Sequence, residues 1–146
     1  MANLIRVSKL LTHSRGALVR QLNSSTQMRN GDKVKVRVTY VKSLQDKVTV
    51  EAEEGESLME AANKYNVGIE HFGACGGKMD CATCHLILHK EYFEKLKLFP
   101  SEEELDLLDR TFDVENTSRI GCQVKLTKEM DGIEVFVPKN RNDWSP

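Results

Sequence analysis

Val34, Val36, Val38 and Tyr40 alternate with Lys33, Lys35, Arg37 and Thr39, the period of two expected of a strand with one buried face. Val48, Val50 and Ala52 repeat that period after a polar break at Ser43 to Asp46, so the two segments predict a hairpin that ends at Gly55. Ser57 followed by Glu60 has the form of a capping box, in which hydroxyl and carboxylate satisfy reciprocal backbone donors. It predicts a helix through about Tyr65, stopped by Asn66 to Gly68. Residues 72–84 show no period and hold Gly73, Gly76, Gly77 and three cysteines, which reads as a loop. Leu86, Ile87 and Leu88 then predict a short buried strand.

A second capping box, Ser101 with Glu104, follows Pro100 and predicts a helix to about Asp109 or Phe112. Leu105, Leu108 and Phe112 fall on one stripe of it and Glu102, Asp106, Asp109 and Asp113 on another. Two further strands are predicted, Ile120 to Leu126 and Ile133 to Val137. No internal repeat appears, and the pattern is that of one α+β domain.

Composition agrees: 146 residues, 40% hydrophobic and 29% charged, suit one globular domain with residues to spare. The net charge of −1 argues against a nucleic-acid binder, which needs a basic excess to displace counterions. That value conceals an asymmetry. Residues 1–30 hold Arg6, Lys9, Arg15, Arg20 and Arg29 and no acid, so the remainder carries 16 basic against 22 acidic residues. Arginines scattered among Leu4, Ile5, Leu10, Leu11 and Leu18 are the composition of a mitochondrial presequence, with a retained basic arm as the alternative. The spacing around Arg20, Leu22 and Ser25 resembles matrix-peptidase sites, which would start the mature chain between about Asn23 and Asp32. No apolar run approaches the roughly 20 residues that cross a bilayer, so no direct membrane insertion is expected.

Cys75, Cys81, Cys84 and Cys122 leave four chemistries open. A disulfide framework suits a small secreted scaffold in an oxidising compartment, which this composition does not indicate. Structural zinc sites usually pair two Cys-x2-Cys knuckles, and only one is present. Cys81-Ala-Thr-Cys84-His85 also fits covalent haem attachment, with His85 as axial ligand and a residue such as Met130 opposite, leaving Cys75 and Cys122 without a role. A [2Fe–2S] cluster uses four thiolates, three on a glycine-bearing loop and one from a distant strand, and the loop chemistry favours it, with a first gap of five residues where the plant-type pattern has four.

The stretches Phe72-Gly73-Ala74-Cys75-Gly76-Gly77, Cys81-Ala82-Thr83-Cys84-His85-Leu86 and Ser118-Arg119-Ile120-Gly121-Cys122-Gln123 resemble the mitochondrial adrenodoxin-type [2Fe–2S] ferredoxins, over about Asp32 to Pro138. The resemblance implies a β-grasp sheet crossed by a helix, and a one-electron carrier rather than an enzyme. It implies Cys75, Cys81, Cys84 and Cys122 as iron ligands, and Glu102, Glu103, Glu104, Asp106 and Asp109 as the surface that docks on basic patches of partners. Those partners would be an NADPH-linked flavoprotein ferredoxin reductase and, as acceptor, iron–sulfur assembly proteins or a cytochrome P450 of the mitochondrial matrix. His85 would couple the cluster loop to that helix. His71 and His89 are assigned no role, and Trp144 is expected either to pack on the domain or to belong to a mobile tail.

The chain thereby divides into residues 1–30, the presequence or arm; 31–138, the ferredoxin domain; and 139–146, a C-terminal tail. One departure stands out. Gly77-Lys78-Met79-Asp80 puts a carboxylate before the second cysteine, where the family usually has an apolar or small residue. A carboxylate beside an already anionic cluster would lower the potential, and one pointed inward would hinder cluster assembly. That stretch keeps a second reading open, an accessory subunit bridging a respiratory complex, peripheral to the inner membrane and with or without its cluster.

Overall fold

In a computed structural model, residues 33–140 are described; the presequence reading and Trp144 lie outside them. The alternating segments form β1 (Lys35–Val41) and β2 (Lys47–Glu53), an antiparallel hairpin. Its register sets Val36 opposite Ala52 and Val38 opposite Val50 on the buried face, and Lys35 opposite Glu53 and Arg37 opposite Glu51 on the other. β3 (His85–Leu88), β4 (Ser118–Ile120) and β5 (Ile133–Phe136) complete a five-stranded mixed sheet in the order β2-β1-β5-β3-β4. β1 and β5 run parallel, and β3 is antiparallel to both of its neighbours.

Helix α1 (Leu58–Lys64) buries Leu58, Met59, Ala61 and Ala62 in the common core, so the expected α+β β-grasp architecture holds. Tyr40 is fully buried and donates its hydroxyl to the Leu58 carbonyl at 2.6 Å, tying β1 to the start of α1. The first capping box is complete. Ser57 N–H donates to Glu60 Oε2 at 2.7 Å and Glu60 N–H to Ser57 Oγ at 3.1 Å.

The backbone and then the hydroxyl of Ser57, followed by Lys125, hold the Glu60 carboxyl down to about 2. A folded-state value below the unfolded one, near 4.5, means that the unfolded chain takes up the proton first. The stabilisation is therefore complete above pH 4.5 and lost as pH falls towards 2. Asp131, brought down to about 2 by Arg37, acts in the same direction. Glu60→Ala is expected to be less stable than wild type at neutral pH and to lose less on acidification, followed by far-UV circular dichroism. Parallel acid profiles would contradict this.

Three elements differ from the sequence-based expectation. The strand expected over Ile120 to Leu126 is cut to Ser118–Ile120, because the following backbone serves α1 instead. Leu58 N–H donates to Val124 O and Met59 N–H to Gly121 O, while Leu126 N–H donates to Glu56 O. The loop after β3 contains an unexpected helix, α2 (Lys90–Lys95), capped by His89, whose Nδ1 accepts from Glu91 N–H. At six residues it is too short to display a helical period, and Phe93 alone buries, edge-on to Phe99.

The acidic segment forms α3 (Glu102–Leu108), but of its expected apolar stripe only Leu108 is buried. Leu105 and Phe112 are 47% and 61% exposed, and the inward position on α3 is taken by Glu104. The second capping box is accordingly half made. Ser101 Oγ accepts the Glu104 N–H, and the Glu104 carboxylate turns away to another partner.

Candidate [2Fe–2S] site

Between α1 and β3 the chain makes successive turns with Gly73, Gly76, Gly77 and Met79 all in the left-handed region. Glycine enters that region freely, whereas Met79 at φ 61° carries a cost of about 1–2 kcal/mol. Asn63 on α1 anchors the entry by donating Nδ2–H to the Phe72 carbonyl at 3.1 Å. Thr83, itself buried, braces the turn from inside: its Oγ1 accepts the Ala74 N–H at 3.0 Å and lies 3.1 Å from Cys81 Sγ. With the oxygen already accepting, the hydroxyl hydrogen is available to the Cys81 sulfur.

The four thiols are free, Cys75 interacting with Cys81 and Cys84 with Cys122. Burial pushes the Cys75 thiol up. The N–H groups of Asp80, Gly77 and Cys81 and the Cys81 thiol together outweigh burial and bring it down to about 7. Cys84 is fully buried beside Cys122. Their mutual hydrogen bond pushes Cys84 up and, helped by Gln123 Nε2–H at 3.3 Å, brings Cys122 down to about 6. Gly121 permits this meeting: a Cβ there would lie 2.9 Å from the Cys84 carbonyl oxygen.

Among the described residues no three histidine, cysteine, aspartate or glutamate side chains converge on a point that one metal ion could occupy. Cys75 with Cys81 and Cys84 with Cys122, each receiving backbone or side-chain hydrogens at sulfur, fit a cluster of two irons with two protein ligands each.

His85 and Met130 do not suit a haem. His85 Nε2 is 2.7 Å from Ser118 Oγ, which also accepts the Glu115 N–H at 2.9 Å, and Met130 is fully buried in the core. Burial pushes His85 down to about 4, with Asp113 a partial offset, so the ring is neutral near pH 7. Its Nδ1 is buried with no hydrogen-bond partner among the described residues.

Of the acidic residues expected on one surface, Glu102, Glu103, Asp106 and Asp109 are exposed and Glu104 is not. Glu104 is 0% exposed and grips Arg119, with Nε to Oε1 at 2.7 Å and an Nη2 to Oε2 contact of 2.9 Å. The same carboxylate accepts the Ile120 N–H at 2.6 Å, and Arg119 Nη1 donates to the Leu98 carbonyl. The reason is charge compensation: Arg119 is buried on β4 and requires a counter-ion within reach.

A continuous connection results. Cys84 is bonded to His85, His85 to Ser118 by a hydrogen bond, Ser118 to Arg119 along the chain, and Arg119 to Glu104 on α3. Asp80 is exposed and offers Cys75 its backbone N–H rather than its carboxylate. Thr83, Ser118, Arg119 and Gln123 were not recognised from sequence as contributors. The signal available for them was adjacency to a cysteine, or to the segment leading to one.

Residues 41–127 match the 2Fe-2S iron-sulfur cluster binding domain family. The chain is 44% identical over 108 residues to "Adrenodoxin-like protein 2, mitochondrial" of Drosophila melanogaster, covering 74% of this chain and 71% of that one. It is 38% identical over 121 residues to "Adrenodoxin, mitochondrial" of Gallus gallus, covering 83% and 84%. Its fold matches a chain in the crystal structure of the covalent putidaredoxin reductase-putidaredoxin complex at a TM-score of 0.64 and 34% identity, covering 72% of this chain and 99% of that one. The cofactor is a [2Fe–2S] cluster, and the chain belongs to the adrenodoxin-type [2Fe–2S] ferredoxin family.

Proposed function

We propose that this protein is a one-electron shuttle of the mitochondrial matrix. It takes electrons from an NADPH-linked flavoprotein reductase and passes them to iron–sulfur assembly proteins, with a cytochrome P450 as the other acceptor of matching chemistry. Cys75, Cys81, Cys84 and Cys122 hold the cluster, which supplies reversible one-electron uptake and release. The N–H groups of Gly77, Asp80 and Cys81, the Thr83 hydroxyl and the Gln123 amide offset negative charge on the thiolates. Asp80, exposed and serving Cys75 through its backbone, supports a cluster-bearing carrier over an accessory subunit of a respiratory complex.

The observation that carries the shuttle reading is the connection between site and surface. Exposed Glu102, Glu103, Asp106 and Asp109 lie on the helix whose inward Glu104 connects through Arg119, Ser118 and His85 to Cys84. Carboxylates on one face speed encounter with a basic partner while leaving the complex weak enough to separate. His85 couples the two parts by fixing the cysteine loop to β4.

Asp106→Lys combined with Asp109→Lys is expected to slow reduction by a flavoprotein ferredoxin reductase about tenfold or more at low ionic strength. Added salt narrows the difference and the visible spectrum stays unchanged. An unaltered reduction rate at low salt would overturn the docking assignment.

A further inference from the structure

Met59, on the first turn of α1, is only 7% exposed and touches the cysteine loop and the fourth-cysteine segment together. Its N–H donates to the carbonyl of Gly121 at 3.1 Å, immediately before Cys122. Its thioether lies against Gly73, where a Cβ would collide with Met59 Sδ and come within 2.5 Å of Cγ. Its terminal methyl is 3.7 Å from where a Cβ on Gly77 would be. Gly73 and Gly77 stand two residues before and two residues after Cys75, both with positive φ. One side chain thus fills the space beneath both arms of the Cys75 turn, and its own backbone holds the segment that carries Cys122.

We propose that Met59 is a positioning residue that holds the Cys75 turn against the Cys122 segment and so maintains the spacing between the two thiol pairs. The proposal rests on the reading of the four cysteines as ligands. A turn rich in glycine has few side chains of its own with which to grip the core, and it depends on what packs beneath it. Methionine is suited to the place because its unbranched, polarizable chain fills an irregular gap. Leucine has nearly the same volume, whereas alanine leaves a void under the turn and favours local opening.

The test uses the full chain with Met59→Ala, Met59→Leu and, as a size-matched control, Met130→Ala in the buried 3-10 turn Lys128–Met130. Iron and sulfide content, visible circular dichroism and the rate of bleaching by an iron chelator are measured on each. Met59→Ala is expected to bleach at least about tenfold faster than wild type, with an altered visible dichroism spectrum. Met59→Leu is expected to restore both, and Met130→Ala to lose stability in urea while keeping the wild-type dichroism and bleaching rate.

Equal bleaching and dichroism of Met59→Ala and wild type would overturn the proposal, as would equal changes in Met59→Ala and Met130→Ala. Should Met59→Ala fail to fold, Met59→Val decides: faster bleaching with altered dichroism supports the proposal, and wild-type behaviour overturns it. A wild-type protein without iron and sulfide is a separate failure, that of the ligand assignment, and removes the proposal with it.

Discussion

Glu104→Ala is expected to lower the unfolding free energy by about 3–5 kcal/mol, a large part of the roughly 5–15 kcal/mol that holds a domain of this kind together. The carboxylate is fully buried, pairs with Arg119 through two contacts and accepts the Ile120 N–H. Its removal leaves a guanidinium and a backbone donor buried without their partner, and the desolvation cost of both then stands uncompensated. Replacing both members by apolar residues of similar size, Glu104→Leu with Arg119→Met, should recover most of the loss. Urea denaturation of the three proteins decides it. A loss below about 1 kcal/mol for Glu104→Ala, the scale of an exposed ion pair, would show that the interaction is not the buried one described.

The second large effect is expected at Cys84, where serine should abolish normal cluster assembly while the polypeptide still folds. Cys84 is fully buried, its thiol is paired with Cys122, and its carbonyl accepts the Gly121 N–H at 2.8 Å. A serine hydroxyl is a harder, far less acidic donor than a thiol, so it is a poor substitute for the thiolate that iron–sulfur chemistry requires. Iron and sulfide analysis of Cys84→Ser should find neither in the proportion of the wild-type protein, with the far-UV circular dichroism of a folded chain. Full cluster content in Cys84→Ser would remove Cys84 from the ligand set.

Much of this architecture can be read from the chain. The period of two over 33–40 and 48–52 appears as β1 and β2, because alternation between a buried and an exposed face is a local pattern. The capping box at Ser57 and Glu60 likewise depends on four consecutive residues. The family was legible because four cysteines and their glycines constrain one another at fixed spacing.

What was not legible depends on contacts distant in sequence. Glu104 carries the signature of an exposed N-terminal helix acid and turns inward only because Arg119, fifteen residues later, is buried. Leu105 and Phe112 fit a buried stripe by spacing but face solvent, since α3 ends at Leu108 and Glu104 occupies the inward position. Residues 121–126 alternate like a strand, yet their backbone is claimed by α1. Asp80 is exposed and serves Cys75 through its backbone N–H, a contact that its residue type does not signal.

The most direct measurement is the iron and acid-labile sulfide content of the protein purified without oxygen, together with its low-temperature electron paramagnetic resonance spectrum before and after dithionite. The arrangement of two thiol pairs predicts two irons and two sulfides per chain, silent when oxidised, with a signal that appears on reduction by one electron. A colourless chain without labile sulfide, or a single iron held by four thiolates, would contradict the assignment of these four cysteines to a [2Fe–2S] cluster.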